Sequence, residues 1–224
     1  MLTKPVDVLT KRVDVLRKPG DRASGFTLIE MVVTMAIFAI LVALTIPTMQ
    51  VWIANTKVRA VADALQNGVR LAQAESLRRS RQVVFALTNT TAPAGGYTAG
   101  GFTAATNGSY WAIQTIPAMT DGSEAAVVVN SGVLTSAGST VTITGQAAIC
   151  FNSMGRLVAN TSTATGVGAA CSVPTTSVNS APTLNYAIST QLTDRPLQVE
   201  VALGGQVHLC YPNTTLSASN PYGC

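Results

Sequence analysis

The side chains able to do chemistry are few. Four cysteines (Cys150, Cys171, Cys210 and Cys224) and a single histidine (His208) all stand in the last third of this 224-residue chain. A serine-type triad would need His208 as its base, yet no Gly-x-Ser-x-Gly elbow accompanies it. A glycine-rich phosphate loop is also absent. With no Cys-x-x-Cys pair and one histidine, the chain lacks the ligand spacing of a zinc site. The residues therefore point to no enzyme, no cofactor and no metal. The cysteines suit disulfides, and four of them allow three pairings. Cys150–Cys171 and Cys210–Cys224 are favoured because each encloses a local loop rich in Gly, Pro, Ser and Thr. Each bridge is worth about 2–4 kcal/mol. Two further features invite explanation. Glu30 is a lone carboxylate at the edge of an apolar run, where an acid is costly unless it has a partner. Arg70, Arg78, Arg79 and Arg81 form the one basic cluster outside the amino-terminal segment, read either as a solvated helix end or as candidate DNA contacts.

The elements that would position these residues differ sharply along the chain. Charged residues are only 11% of the total, and the formal net charge is +4. Residues 1–25 carry six basic and three acidic side chains, whereas the part beyond residue 82 has two basic and four acidic. A nucleic-acid footprint is a basic stripe on one face, and most of the chain has none. From Met31 to Thr56 there is no charged residue at all. A spanning helix needs about 20 apolar residues, so this run qualifies, and Pro47 would weaken the helix within it. Basic residues precede the run. The amino end is therefore expected in the cytoplasm and everything after residue 56 on the other side, where disulfides persist. Trp52, near the end of the run, reads as an interfacial anchor.

An ordinary signal peptide places a small-residue cleavage site after its apolar region. Here a long basic leader ends in Gly25 and the apolar run begins directly at Phe26. Gly25-Phe26-Thr27-Leu28-Ile29-Glu30-Met31 resembles the cleavage and methylation motif of type IV prepilins and pseudopilins. The resemblance implies that a prepilin peptidase cuts after Gly25 and methylates the new Phe26 amine. It also implies that Glu30 neutralises the Phe26 amine of a neighbouring subunit during assembly. A carboxylate among packed apolar helices needs such a partner to offset its desolvation.

Beyond the run, Val58, Val61, Ala62, Leu65, Val69 and Ala72 recur at steps of three and four, the stripe of an amphipathic helix. One helix from Phe26 to about Arg79 is expected, roughly 80 Å long at 1.5 Å per residue. From Gln82 the pattern becomes short β-type runs at 83–87, 110–116, 126–129, 140–144, 184–189, 197–202 and 206–211. The loops between them, 88–101 and 159–182 above all, are dense in Thr, Ala, Gly, Ser and Pro. Helix then strands argues for an α+β fold, a long amino-terminal helix packed on antiparallel sheet. Four segments follow. They are a cleaved leader (1–25), a transmembrane or filament-core helix (26–53), an amphipathic helix (54–82) and a β-rich globular domain (83–224). Trp111, on a strand, reads as core.

A second resemblance lies in the globular part. Cys150-Phe151-Asn152-Ser153-Met154-Gly155-Arg156 is similar to a strand–turn–strand segment of GspH/FimT-type minor pilins. Leu197-Gln198-Val199-Glu200-Val201 with Gly205-Gln206-Val207-His208-Leu209-Cys210 resembles their carboxy-terminal hairpin. The implied function is a minor type IV pilin, a structural subunit that assembles into or primes the pilus at its tip. The alternatives are a type II secretion pseudopilin of GspH type and a DNA-binding minor pilin for natural transformation. The DNA-binding members carry Gly-Arg-x-Arg at this hairpin, and here Gly205-Gln206-Val207-His208 lacks both arginines. Phosphate binding depends on such cations, so nucleic acid is not an expected partner. The implied partners are other major and minor pilins, the prepilin peptidase, the inner-membrane assembly platform and membrane lipid. The implied location is the bacterial inner membrane, single-pass with a periplasmic carboxy-terminal domain, and then the filament.

Overall fold

The computed structural model describes residues 25–91, 103–118, 123–124, 126–160, 170–174 and 182–224. The leader expected over 1–25 lies outside these residues except for Gly25, as do much of the two long loops. The chain divides into two compact units, Met1–Leu44 and Thr45–Cys224.

In the first unit the helix α1 begins. Its full range is Leu28–Arg79, two residues later than the expected start. The delay has a local cause. Thr27 caps the helix, its Oγ1 accepting from the Glu30 N–H at 3.2 Å, and its carbonyl takes the first helical bond from Met31. Thr27-x-x-Glu30 has the spacing of a capping box. Every residue from 25 to 50 is exposed, apolar ones included. The helix is long and apolar enough to cross a bilayer.

In the second unit the stripe expected from the periodicity is buried, with Val58, Val61, Ala62, Leu65, Val69 and Ala72 out of water. α1 stops in a left-handed residue. Ser80, at φ 51°, lets the Arg81 N–H reach the Ser76 carbonyl and its own N–H reach Leu77 O, both at 3.2 Å.

Among the described residues, eight strands follow. They are β1 (Val83–Thr88), β2 (Tyr110–Thr115), β3 (Val128–Val133), β4 (Thr142–Thr144), β5 (Ala148–Phe151), β6 (Thr183–Ser189), β7 (Leu197–Ala202) and β8 (Val207–Cys210). All pairings between them are antiparallel, in two four-stranded sheets of order β3-β2-β1-β5 and β4-β6-β7-β8. The α1 stripe shares one apolar core with Phe85 of β1, Ile113 of β2, Tyr186 of β6 and Val199 of β7, among others. β1 is buried along its whole length. Its alternate residues Val84 and Ala86 belong to a second, smaller core that contains Cys150 and Cys171.

Seven strands fall where the sequence places them, within a few residues. β5 was expected only through the Cys150–Arg156 resemblance, and there the structure gives a strand, a turn and a single bridge from Phe151 to Leu157. β3 runs on through Asn130, Ser131 and Gly132, which β propensity disfavours. Tertiary packing explains this. Gly132 pairs with Trp111, and a Cβ there would collide with the indole.

Candidate functional site

Among the described residues of its unit, none packs on the amino-terminal motif. Gly25 has no atom within 4 Å of where a Cβ would stand, and Phe26 is 75% exposed. Glu30 sits in the first turn of α1, where the helix macrodipole favours an acid. Its carboxylate has no ion-pair partner among the described residues. The segment thus places an exposed Gly25–Phe26 bond one helical turn from the Glu30 carboxylate.

Each of the four arginines is engaged by a protein group. Arg70 donates to the Val207 carbonyl of β8 at 3.1 Å. Arg78 and Arg79 share one acid, with Arg78 Nη2 at 2.7 Å and Arg79 Nε at 2.9 Å from Glu75 Oε2. Arg78, and with it Arg79, holds the Glu75 carboxyl below the usual carboxylate range against the opposing effect of burial. Arg81 pairs with Glu124.

All four cysteines are oxidised, as Cys150–Cys171 and Cys210–Cys224, with Cα separations of 5.7 and 5.1 Å. The first is buried on the outer face of β1 and β5. The second ties residue 224 to β8, where the Tyr211 and Cys224 backbones also bond. Glu200 lies beside the Cys210 and Cys224 sulfurs. Disulfide sulfurs are not thiolates and offer no metal site there. The Glu200 carboxylate is instead held by Gln198 Nε2 at 2.9 Å. His208 faces solvent on β8, directly across from Glu200. Trp52 is exposed on α1, while Trp111 is half-buried and stacks on Phe85 at 5.9 Å between centroids.

The two motifs of the carboxy-terminal half meet. The turn after β5 and the β7–β8 turn carry Gly155 at φ 72° and Gly205 at φ 89°, a region that favours glycine. Gln73 of α1 donates to the Gly155 carbonyl at 3.0 Å, and a Cβ on Gly205 would collide with both. Sequence reasoning overlooked Gln73, whose signal is only a polar residue flanking the apolar stripe. It also overlooked Asn55, which donates to Asp194 Oδ1 and accepts from Thr193 Oγ1, both at 2.6 Å. Nothing in the sequence marks that pairing across more than 130 residues.

Comparison with known proteins bears on the first of these features. Residues 21–46 match the prokaryotic N-terminal methylation motif. No curated protein matches the chain in sequence. Among solved structures, two crystal forms of the type IV minor pilin FimU of Pseudomonas aeruginosa are similar. The first, in space group P21, has 14% identity and a TM-score of 0.45 over 71% of this chain and 96% of that one. The second, in space group P65, has 15% identity and a TM-score of 0.42 over 70% and 98%.

Proposed function

We propose that the chain is a minor type IV pilin, a membrane-anchored structural subunit that is built into a filament. One observation carries the reading. A methylation motif at 21–46 leads without a break into a helix whose first part has no apolar partner and whose second part is the core of an α+β head. In the proposed mechanism a prepilin peptidase cuts after Gly25 and methylates the Phe26 amine. The exposed apolar residues of α1 leave lipid for contact with neighbouring helices, and Glu30 accepts the charge of an adjacent Phe26 amine. The low dielectric of such a bundle raises both the cost of an unpaired Glu30 and the value of pairing it. The head, in the periplasm before assembly, presents its surfaces to other pilins and contributes no chemistry.

The test is a deletion in the host, with surface pili counted and secreted enzyme activity assayed in the same strain. Loss of pili, restored by the wild type but not by Glu30→Val, is the expected result. Glu30→Val protein should stay in the membrane and be missing from sheared filaments. Its normal incorporation would overturn the assembly role of Glu30. Intact pili with lost secretion would move the protein to a secretion pseudopilus. Both phenotypes intact would turn attention to DNA uptake, which the engagement of Arg70, Arg78, Arg79 and Arg81 by protein groups does not favour.

A further inference from the structure

The turn between β6 and β7, residues 190–196, docks on α1 where the charge-free run ends. Asn55, the penultimate residue of that run, holds both Asp194 and Thr193. The turn is also braced internally, with the Leu192 N–H on Thr190 Oγ1 at 3.2 Å and the Arg195 N–H on Thr193 Oγ1 at 3.3 Å. This fixed turn points an apolar side chain outward, for Leu192 is 56% exposed. On α1 beside it, Trp52 is 67% exposed. Lys57 lines the recess on the Leu192 flank, and Arg195 with Arg59 lines the recess on the Trp52 flank. Arg59 is paired with Asp63 at 3.4 Å, but among the described residues Lys57 and Arg195 have no ion-pair partner.

An apolar tip, an aromatic ring and cations on both flanks are the parts of an interfacial anchor. The tip enters the acyl boundary, the ring sits among headgroups and the cations meet phosphates. A span of about 20 residues counted from Met31 ends near Gln50, so Trp52 and Asn55 fall just past its edge in sequence.

We propose that this turn is a second membrane contact. Leu192 enters the bilayer interface, and Lys57 and Arg195 bind the phosphates of anionic lipid headgroups. The subunit is then held on the bilayer by the turn as well as by α1. The inference rests on the reading that α1 crosses a bilayer. It adds that the head has a fixed face toward lipid before assembly, and that this face must be released for a subunit to leave.

The test uses the full chain in phosphatidylcholine nanodiscs with and without phosphatidylglycerol. No native cysteine is free, so single nitroxide labels can be placed by Leu192→Cys, Ile46→Cys and Ser131→Cys, the last on exposed β3. Accessibility to a water-soluble nickel chelate is then compared with accessibility to oxygen. With phosphatidylglycerol, the label at 192 should be several-fold less accessible to nickel than the label at 131. Lys57→Glu with Arg195→Glu should remove that protection, since each cation at an anionic surface is worth roughly fivefold in partitioning. Equal nickel access at 192 and 131, with 46 in lipid, overturns this contact alone. A water-accessible label at 46 overturns the spanning helix and the contact with it. Protection at 192 that rises with protein concentration and ignores phosphatidylglycerol assigns the turn to a second protein copy and overturns the lipid contact.

Discussion

The two parts of α1 belong to one helix and do opposite things. From 28 to 50 no position is buried, although Met31, Ile37, Leu41 and Leu44 are as apolar as any in the chain. From 54 to 76 only one stripe is apolar, and that stripe is fully buried. The difference lies in composition and arrangement, for the second part carries Lys57, Arg59, Asp63, Arg70 and Glu75 off its stripe. A helix apolar all round has no preferred face and suits lipid or a bundle of like helices, whereas a stripe commits to one surface. The first part is expected to serve the assembly and the second the subunit.

Substitutions can break or sharpen this contrast, and the largest effect should come from the stripe. Leu65→Ala should lower head stability by about 3 kcal/mol, the usual cost of a buried leucine, whereas Leu44→Ala should change it by less than about 0.5 kcal/mol. Urea unfolding of the full chain in detergent, followed by near-ultraviolet circular dichroism, measures both. Similar losses from the two changes would erase the division. Removing the buried bridge by Cys150→Ala with Cys171→Ala should cost about 3 kcal/mol in the same measurement. A negligible loss would show that the small outer core stands without its disulfide.

A smaller effect of opposite sign is expected at Tyr186. Its ring is fully buried in the core against which the stripe packs, and its hydroxyl has no partner among the described residues. Burial pushes its pKa upward from the ordinary 10.0. The unfolded chain therefore ionises first, and the head should lose stability as pH rises past 10. Tyr186→Phe should abolish that loss and raise stability at neutral pH by about 1 kcal/mol. A destabilised Tyr186→Phe would mean that the hydroxyl is satisfied after all. The smallest effect belongs to the polar side of α1. Glu75 has its pKa lowered by Arg78 and Arg79, so its contribution is present above the ordinary glutamate range near 4.5 and is lost as pH falls through the lowered value. Glu75→Gln should cost about 0.5 kcal/mol at pH 7 and nothing below that range. Stability curves with and without the substitution that stay parallel down to acid would remove the pair from consideration.

Local signals and long-range ones were not equally legible in the sequence. The charge-free apolar run gave the first part of α1, periodicity the second, and β propensity found seven strands, because side-chain pattern and element coincide there. The cystine pairing followed from loop closure between near neighbours. β5 was less visible because Ala148-Ile149-Cys150-Phe151 is short and buried throughout, without alternation. The extension of β3 through Gly132 depends on Trp111 lying over it. The meeting of Gly155, Gly205 and Gln73, and of Asn55 with Asp194, joins residues far apart in the chain. No local rule encodes such a meeting. The amino-terminal motif stood out because its residues lie within seven consecutive positions, 25–31.

β1 has neighbours on both edges, β2 and β5, and apolar cores on both faces. Fraying at the edge strand β3 leaves the β1 amides covered by β2, and β5, the edge strand on the other side, is buried along its length and tied by Cys150–Cys171. Hydrogen exchange at Phe85 and Ala86 should therefore proceed only through opening of the whole head. The deuterium uptake of this one strand then serves as a clock for the entire head.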